Sequence, residues 1–185
     1  MSDRERIFER VAEALEGEGE RAPYPEYDDD VVVAHPRLAG DSLWDNFARN
    51  FRAVNGRPMT SIEELLAFLQ RENVAVGYCD PVLRKPLGEA CAAAGLDIRY
   101  TYDRERYDDY QFGITRATRA IAETGTVVLT DSDTSDRLGA LTPWIHVAVL
   151  PDTRLVRTIS DAIATFEDER NVIWATGPSK TGDIE

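Results

Sequence analysis

Two short segments join an apolar run to glycine and to hydroxyl-bearing residues: Glu123-Thr124-Gly125-Thr126 and Thr176-Gly177-Pro178-Ser179-Lys180-Thr181. Glycine lets a backbone come close to a ligand, successive amides and hydroxyls cradle an anion, and a lysine adds a point charge. The second segment therefore suits a phosphate or a carboxylate. It is not a Walker A loop, because Ser179 and Trp174 stand where that motif needs its two glycines. An αβ turn with a helix cap is the alternative reading of the same residues. Arg137, in Ser135-Asp136-Arg137-Leu138, is a second candidate anion clamp, or else a surface arginine. Glu123, Asp183 and Glu185 are the carboxylates beside these turns; each reads as a cap, a solvated residue, or an acid, base or nucleophile.

The remaining chemistry-bearing residues exclude more than they propose. His146 lies inside an apolar stretch, where a hydrogen-bonded core imidazole competes with a catalytic role, and His35 has no metal-ligand spacing around it. Asp131 to Asp136 resembles the start of an EF-hand, but position six is Asp136 rather than Gly and position twelve is Thr142 rather than Glu, so calcium is rejected. The dinucleotide fingerprint is absent. The two cysteines, Cys79 and Cys91, are too few for a metal knuckle, a disulfide framework or a cluster and read as small buried hydrophobes. No cofactor of the chain's own and no metal are expected.

Elements must place these turns. Ser2 and Glu5 form a capping box ahead of Ile7, Phe8, Val11 and Leu15, which predicts a helix from Ser2 to Leu15. Glu20 to Gly40, with three prolines and Asp28-Asp29-Asp30, reads as an irregular arm with one edge strand at Val31–Val33. A helix follows from Asp41, ended at Asn55-Gly56, then a second capping box, Ser61 with Glu64. Beyond them the pattern alternates. Strands are expected at 74–78, 98–102, 112–115, 126–130, 145–150 and 172–175. Helices are expected at 86–94 and 117–122 and in a segment capped by Asp152 that turns Leu155, Val156, Ile159, Ile163 and Phe166 inward. The charged tract 103–109 reads as a solvated loop. Strands separated by helices, several apolar on both faces, argue for an α/β fold with a mostly parallel sheet covered by helices on both faces. The division expected is an arm over residues 1–40 and an α/β domain over 41–185.

The chain has 185 residues, 34 acidic against 21 basic, for a formal charge of −13. Such a surface repels nucleic-acid phosphates and anionic lipid. Lysine occurs only at 85 and 180. An acidic, arginine-rich composition fits a host with a salt-rich cytoplasm, where screening relieves self-repulsion, and equally a compositionally biased genome. No apolar run reaches the ~18 residues of a membrane helix and the N-terminus is charged rather than signal-like, so a cytoplasmic protein is expected.

The run Gly113-Ile114-Thr115, Ala120 to Thr126, Arg137-Leu138, Leu141, Pro143, His146 and Thr176 to Thr181 with Asp183-Ile184-Glu185 resembles the LUD-domain family, of the LutC type found in bacterial lactate-utilisation operons. Upstream, Asn55-Gly56 is similar to the family's Asn-Gly-Gly, with Arg57 in place of the second Gly. The resemblance implies a fold similar to the ribose-phosphate isomerase and CoA-transferase group, and a part in oxidising L-lactate to pyruvate alongside iron–sulfur partner proteins. By matching position it puts Thr124, Gly125, Thr126, Arg137, His146, Gly177, Pro178, Ser179, Lys180, Thr181, Asp183 and Glu185 in the family's motifs, without individual roles. The alternative is a stand-alone enzyme on a phosphorylated sugar or acyl-CoA, with Glu123 as nucleophile or base and Lys180 and Arg137 holding the anion; sequence leaves open whether the chain is catalytic. Family members continue beyond Asp-Ile-Glu into a further strand. Three readings follow for the end at Glu185: a tolerated shortening, a homo-oligomer paired along the exposed edge, or a truncated sequence.

Overall fold

The computed structural model describes residues 2–16, 38, 40–166 and 169–178. The chain divides into two compact units, residues 1–34 and 35–185, each described by itself. In the first, helix α1 spans Asp3–Leu15. Ser2 and Glu5 exchange both bonds of the capping box, satisfying amides that a helix start leaves without partners. The expected edge strand at Val31–Val33 falls outside the described residues.

The second unit opens with α2 (Leu43–Ala53), capped by Ser42, whose hydroxyl accepts from the Asp45 amide. Asn55, with φ 64°, takes the left-handed position that ends the turn after α2, so Asn rather than Gly56 does this work. Helix α3 (Ile62–Arg71) starts at Ser61, but only half of its expected capping box forms. The Glu64 carboxylate reaches past Ser61 to the Thr60 amide at 2.9 Å.

The first sheet is wholly parallel. Its strands β1 (Val76–Cys79), β2 (Asp97–Arg99), β3 (Phe112–Arg116) and β6 (Ile145–Val149) lie in the order β2-β1-β3-β6. A π-type turn at 84–88 runs into α4 (Glu89–Ala93) and carries the chain from β1 to β2, and Gly95, φ 92°, stops it. Leu65 and Leu69 of α3, Leu83 and Cys91 pack on Cys79, Phe112 and Ile114 of one face. Helix α5 (Arg137–Leu141) covers the other, with Gly139 pressed against Gly113 and the Tyr78 ring. Both faces of a parallel sheet are thereby removed from water, as its apolar strands require. The architecture is α/β.

A second, mixed sheet extends the first, an arrangement the alternating pattern alone does not announce. Strands β4 (Arg119–Ile121), β5 (Thr126–Thr130), β7 (Leu155–Val156) and β8 (Val172–Ala175) lie in the order β7-β4-β5-β8, with β5 antiparallel to both neighbours. The Ala117 amide still bonds the Val149 carbonyl of the first sheet, while the Thr118 amide bonds Val128 of the second, so one nearly continuous strand crosses between them. Two expectations are corrected here. The segment 117–122 is the short strand β4 (Arg119–Ile121) with its flanking residues rather than a helix, and Ala117, Ala120 and Ala122 are the small residues that let α2 lie close, with Phe47 on top. The segment after Asp152 is a 3-10 turn, β7 and a short α6 (Ile159–Ile163) capped by Thr158; Ile159 and Ile163 stay exposed. The tract 104–109 folds into 3-10 turns under an Asp103 cap, its charges paired as Arg99–Asp109 and Arg106–Asp109.

Candidate functional site

The two glycine turns meet at the C-terminal end of α2. Because β5 and β8 are antiparallel, with Val127 opposite Ala175, the start of one strand lies beside the end of the other. Gly125 (φ 65°) and Gly177 (φ 74°) both take left-handed backbone. A Cβ on Gly125 would stand 2.4 Å from the Phe51 nitrogen, and one on Gly177 would stand 2.3 Å from the Val54 carbonyl oxygen. Both turns thus rest directly on the α2 backbone, which only glycine permits. Asn50, on the last turns of α2, donates its side-chain amide to the Ala122 carbonyl at 2.7 Å and the Glu123 carbonyl at 3.1 Å, holding the first turn in place.

A chain of hydroxyls spans the junction. Thr124 Oγ1 lies 2.6 Å from Thr126 Oγ1, which lies 2.7 Å from Thr176 Oγ1. These three residues, with Val54, Ile159 and Trp174, line a recess of about 340 Å³. The recess is open to solvent, its volume is at the lower end of small-molecule sites, and its walls are mostly apolar with a few convergent polar groups. Each hydroxyl can donate or accept, so the chain can turn its donors toward an anion or a ligand hydroxyl. Glu123 is 9% exposed, and its carboxylate makes no hydrogen bond or ion pair to a described residue.

The other sequence-derived residues disperse. Pro178, next to Gly177, is exposed and is not among the residues lining the recess, while Ser179, Lys180, Thr181, Asp183 and Glu185 lie outside the described residues. Arg137 pairs through Nε with Asp131 at 3.2 Å, beyond the opposite end of β5. It is on the order of 13 Å or more along the strand from Thr126. His146 belongs to the first sheet, where its Nε2 lies 2.8 Å from Thr115 Oγ1. Cys79 and Cys91 are fully buried, and burial pushes the Cys79 thiol up to about 12, which removes thiolate chemistry at neutral pH. Among the described residues no cluster of three His, Cys, Asp or Glu could hold a metal ion, and no helix is long and apolar enough to cross a membrane.

Burial pushes the His146 imidazole down to about 4. In an unfolded chain it titrates near ~6.5. Between those values the unfolded chain takes up a proton that the folded chain refuses, so the stability is present above about pH 6.5 and is lost as pH falls toward 4. Wild type is expected to lose about 2 kcal/mol more unfolding free energy than His146→Gln between pH 7 and pH 4.5, read by urea denaturation. Parallel losses in the two proteins would show that His146 is not held neutral.

Sequence reasoning missed three residues here. Thr176 closes the hydroxyl chain, and its signal was present in the motif itself. Asn50 braces the turn from a distant helix and carried no local signal. Asp80, directly after β1, is fully buried and accepts from the Val82 amide at 2.9 Å and from Arg116 Nε at 3.1 Å. A carboxylate standing at the carboxyl end of an apolar strand was the clue to it.

A parallel α/β sheet, extended by a mixed sheet whose glycine turns frame a hydroxyl-lined recess, defines the class of protein. The LUD domain family model matches residues 89–185, more than half of the chain. This chain belongs to the LUD-domain family. It is 32% identical over 89 residues to lactate utilization protein C of Bacillus licheniformis, a match covering 44% of this chain and 37% of that protein. The chain thus matches little more than a third of that relative's length. A crystal structure of a DUF162 family protein from Deinococcus radiodurans aligns with 65% of this chain and 90% of its own, at 19% identity and a TM-score of 0.38, a likeness too distant to argue from.

Proposed function

We propose that this chain is a ligand-binding, cluster-free component of L-lactate oxidation to pyruvate, working with iron–sulfur partner proteins. The observation that carries the reading is the 89-residue match to lactate utilization protein C. Oxidising a 2-hydroxy acid to a 2-oxo acid releases two electrons and two protons. An iron–sulfur cluster needs four thiolates as a rule, and this chain has two cysteines, both in the core. The electrons accordingly pass to partners. The threonine hydroxyls and the amides of the Gly125 and Gly177 turns hold the small anionic ligand, with Ser179, Lys180 and Thr181 of the same motif completing the site.

The test is reconstitution. Co-expressed with the iron–sulfur proteins of a lactate-utilisation system, the tagged chain is expected to copurify with them, and lactate-dependent dye reduction is expected only from the assembly. Thr126→Val, which removes the middle hydroxyl, is expected to lower the assembly's rate at least tenfold, as loss of a polar partner in a binding site does. Lactate-dependent dye reduction by the isolated chain overturns the reading.

One observation favours a second reading, a stand-alone enzyme on a phosphorylated sugar or acyl-CoA. Glu123 is buried next to Thr124 of the recess and its carboxylate makes no hydrogen bond or ion pair to a described residue, as a nucleophile or base awaiting substrate would be. With Arg137 paired to Asp131 beyond the far end of β5, Lys180 is the cation that would hold the anion. Turnover of such a substrate that disappears in Glu123→Gln would establish it.

A further inference from the structure

The first sheet contains a topological switch. From β1 the chain passes to β2 on one side, and β3 then returns to the other side of β1, so the connections diverge between β1 and β3. In open α/β sheets the crevice outside the carboxyl ends of two such strands is where ligands bind. Here those ends are Asp80 and Arg116.

We propose that this crevice is an oxyanion-binding site in which Arg116 is the ligand-holding group, aimed by the buried Asp80 and flanked by Arg154. The geometry of the pair carries the proposal. Arginine has five N–H donors, and Arg116 engages Asp80 through Nε alone, at 3.1 Å. A purely structural arginine–carboxylate pair gains most from two parallel bonds, fork to fork. Instead the Asp80 carboxylate spends its second oxygen on the Val82 amide at 2.9 Å and lies wholly out of water. It fixes the guanidinium from behind. The terminal nitrogens have no hydrogen-bonded acceptor among the described residues, since Asp133 Oδ1 stands 4.0 Å from the nearer one, and the side chain keeps 32% of its surface exposed. That leaves a planar two-nitrogen fork at the crevice, matched to two oxygens of a carboxylate or phosphate.

The surroundings hold the fork still. Thr134 Oγ1 donates to the Arg116 carbonyl at 3.0 Å. Arg154 donates to Asp133 Oδ2 at 2.7 Å and to the Ala117 carbonyl at 3.4 Å, tying the loop after β5 to the strand crossing. Two guanidiniums, Arg116 and Arg154, face two carboxylates, Asp80 and Asp133, so the cluster is locally balanced on a chain of formal charge −13. The site is separate from the threonine recess. Six residues of mostly extended chain lie between Arg116 and Glu123, on the order of 20 Å. It also stands apart from the lactate reading, because it needs only this geometry.

The experiment is a titration of the full chain by isothermal calorimetry at constant ionic strength, with inorganic phosphate in one arm and L-lactate or pyruvate in the other. Saturable binding in the phosphate arm identifies a phosphate site, and in the carboxylate arm a carboxylate site. Arg116→Gln is expected to weaken the binding at least tenfold, and Arg116→Lys nearly as much, because a lysine beside Asp80 keeps the charge and loses the fork. Arg137→Gln, whose guanidinium is paired with Asp131, is expected to bind as wild type does, and circular dichroism confirms that each variant is folded. Should Arg116→Gln unfold, the lysine variant decides. Wild-type affinity in the folded Arg116 variant, or no saturable binding of either oxyanion by wild type, overturns the proposal.

Discussion

Gly113→Ala is expected to cost about 3 kcal/mol or more of unfolding free energy, the largest loss of any described glycine. Its Cβ would stand 1.7 Å from the Gly139 carbonyl oxygen, a backbone atom that no rotamer change can move. Overpacking a core with a movable side chain typically costs 1–3 kcal/mol, and an immovable neighbour puts this site at or above the upper end. Relief would require α5 to lift off β3. Gly139 is itself pressed on the Tyr78 ring, whose hydroxyl lies 2.7 Å from Ser135 Oγ, so the displacement would spread into the loop ahead of α5. Chemical denaturation measures it; a loss below 1 kcal/mol would mean that helix and strand are not in contact as described.

Gly125→Ala comes next, at about 3 kcal/mol from two separable causes. A left-handed φ costs an alanine about 1 kcal/mol, and the Cβ at 2.4 Å from the Phe51 nitrogen and 2.6 Å from the Asn50 carbonyl carbon adds the rest. Gly95→Ala isolates the first cause. Its φ is 92° and nothing lies within 4 Å of its added Cβ, so it should lose only about 1 kcal/mol. Equal losses at the two glycines would mean that the 122–125 turn does not rest on α2. The same substitution pushes Thr124 and Thr126 away from Thr176, so ligand binding in the recess should fall with stability in Gly125→Ala and remain intact in Gly95→Ala.

The candidate sites differ in how far they could be read from the residues. The glycine turns were legible because a Thr-Gly-Thr or Thr-Gly-Pro run beside an apolar strand has few conformations, and their hydroxyls are contiguous with the glycines. The Arg116 fork was not. An arginine at a strand end looks like any other, and what distinguishes it is a carboxylate 36 positions earlier in sequence. Arg137, singled out by its neighbours Ser135 and Asp136, turns instead to Asp131. The alanine-rich run 117–122 misled for a related reason. Alanine favours helix when nothing else intervenes, but here the contacts with α2 and the pairing with β5 and β7 prevail over propensity.

Local sequence alone determined the caps at Ser2 and Ser61, the strands β3, β5, β6 and β8 to within a residue or so, the parallel α/β character, and the presence of two glycine turns. Each depends on interactions among residues a few positions apart, which short-range spacing records. Tertiary structure alone decided that the second sheet is mixed, that both turns lean on α2, and that Asp80 aims Arg116 into the switch-point crevice. Those outcomes depend on which strands become neighbours. Strand adjacency is settled by burying apolar faces across the whole unit, and no short window of sequence contains that competition.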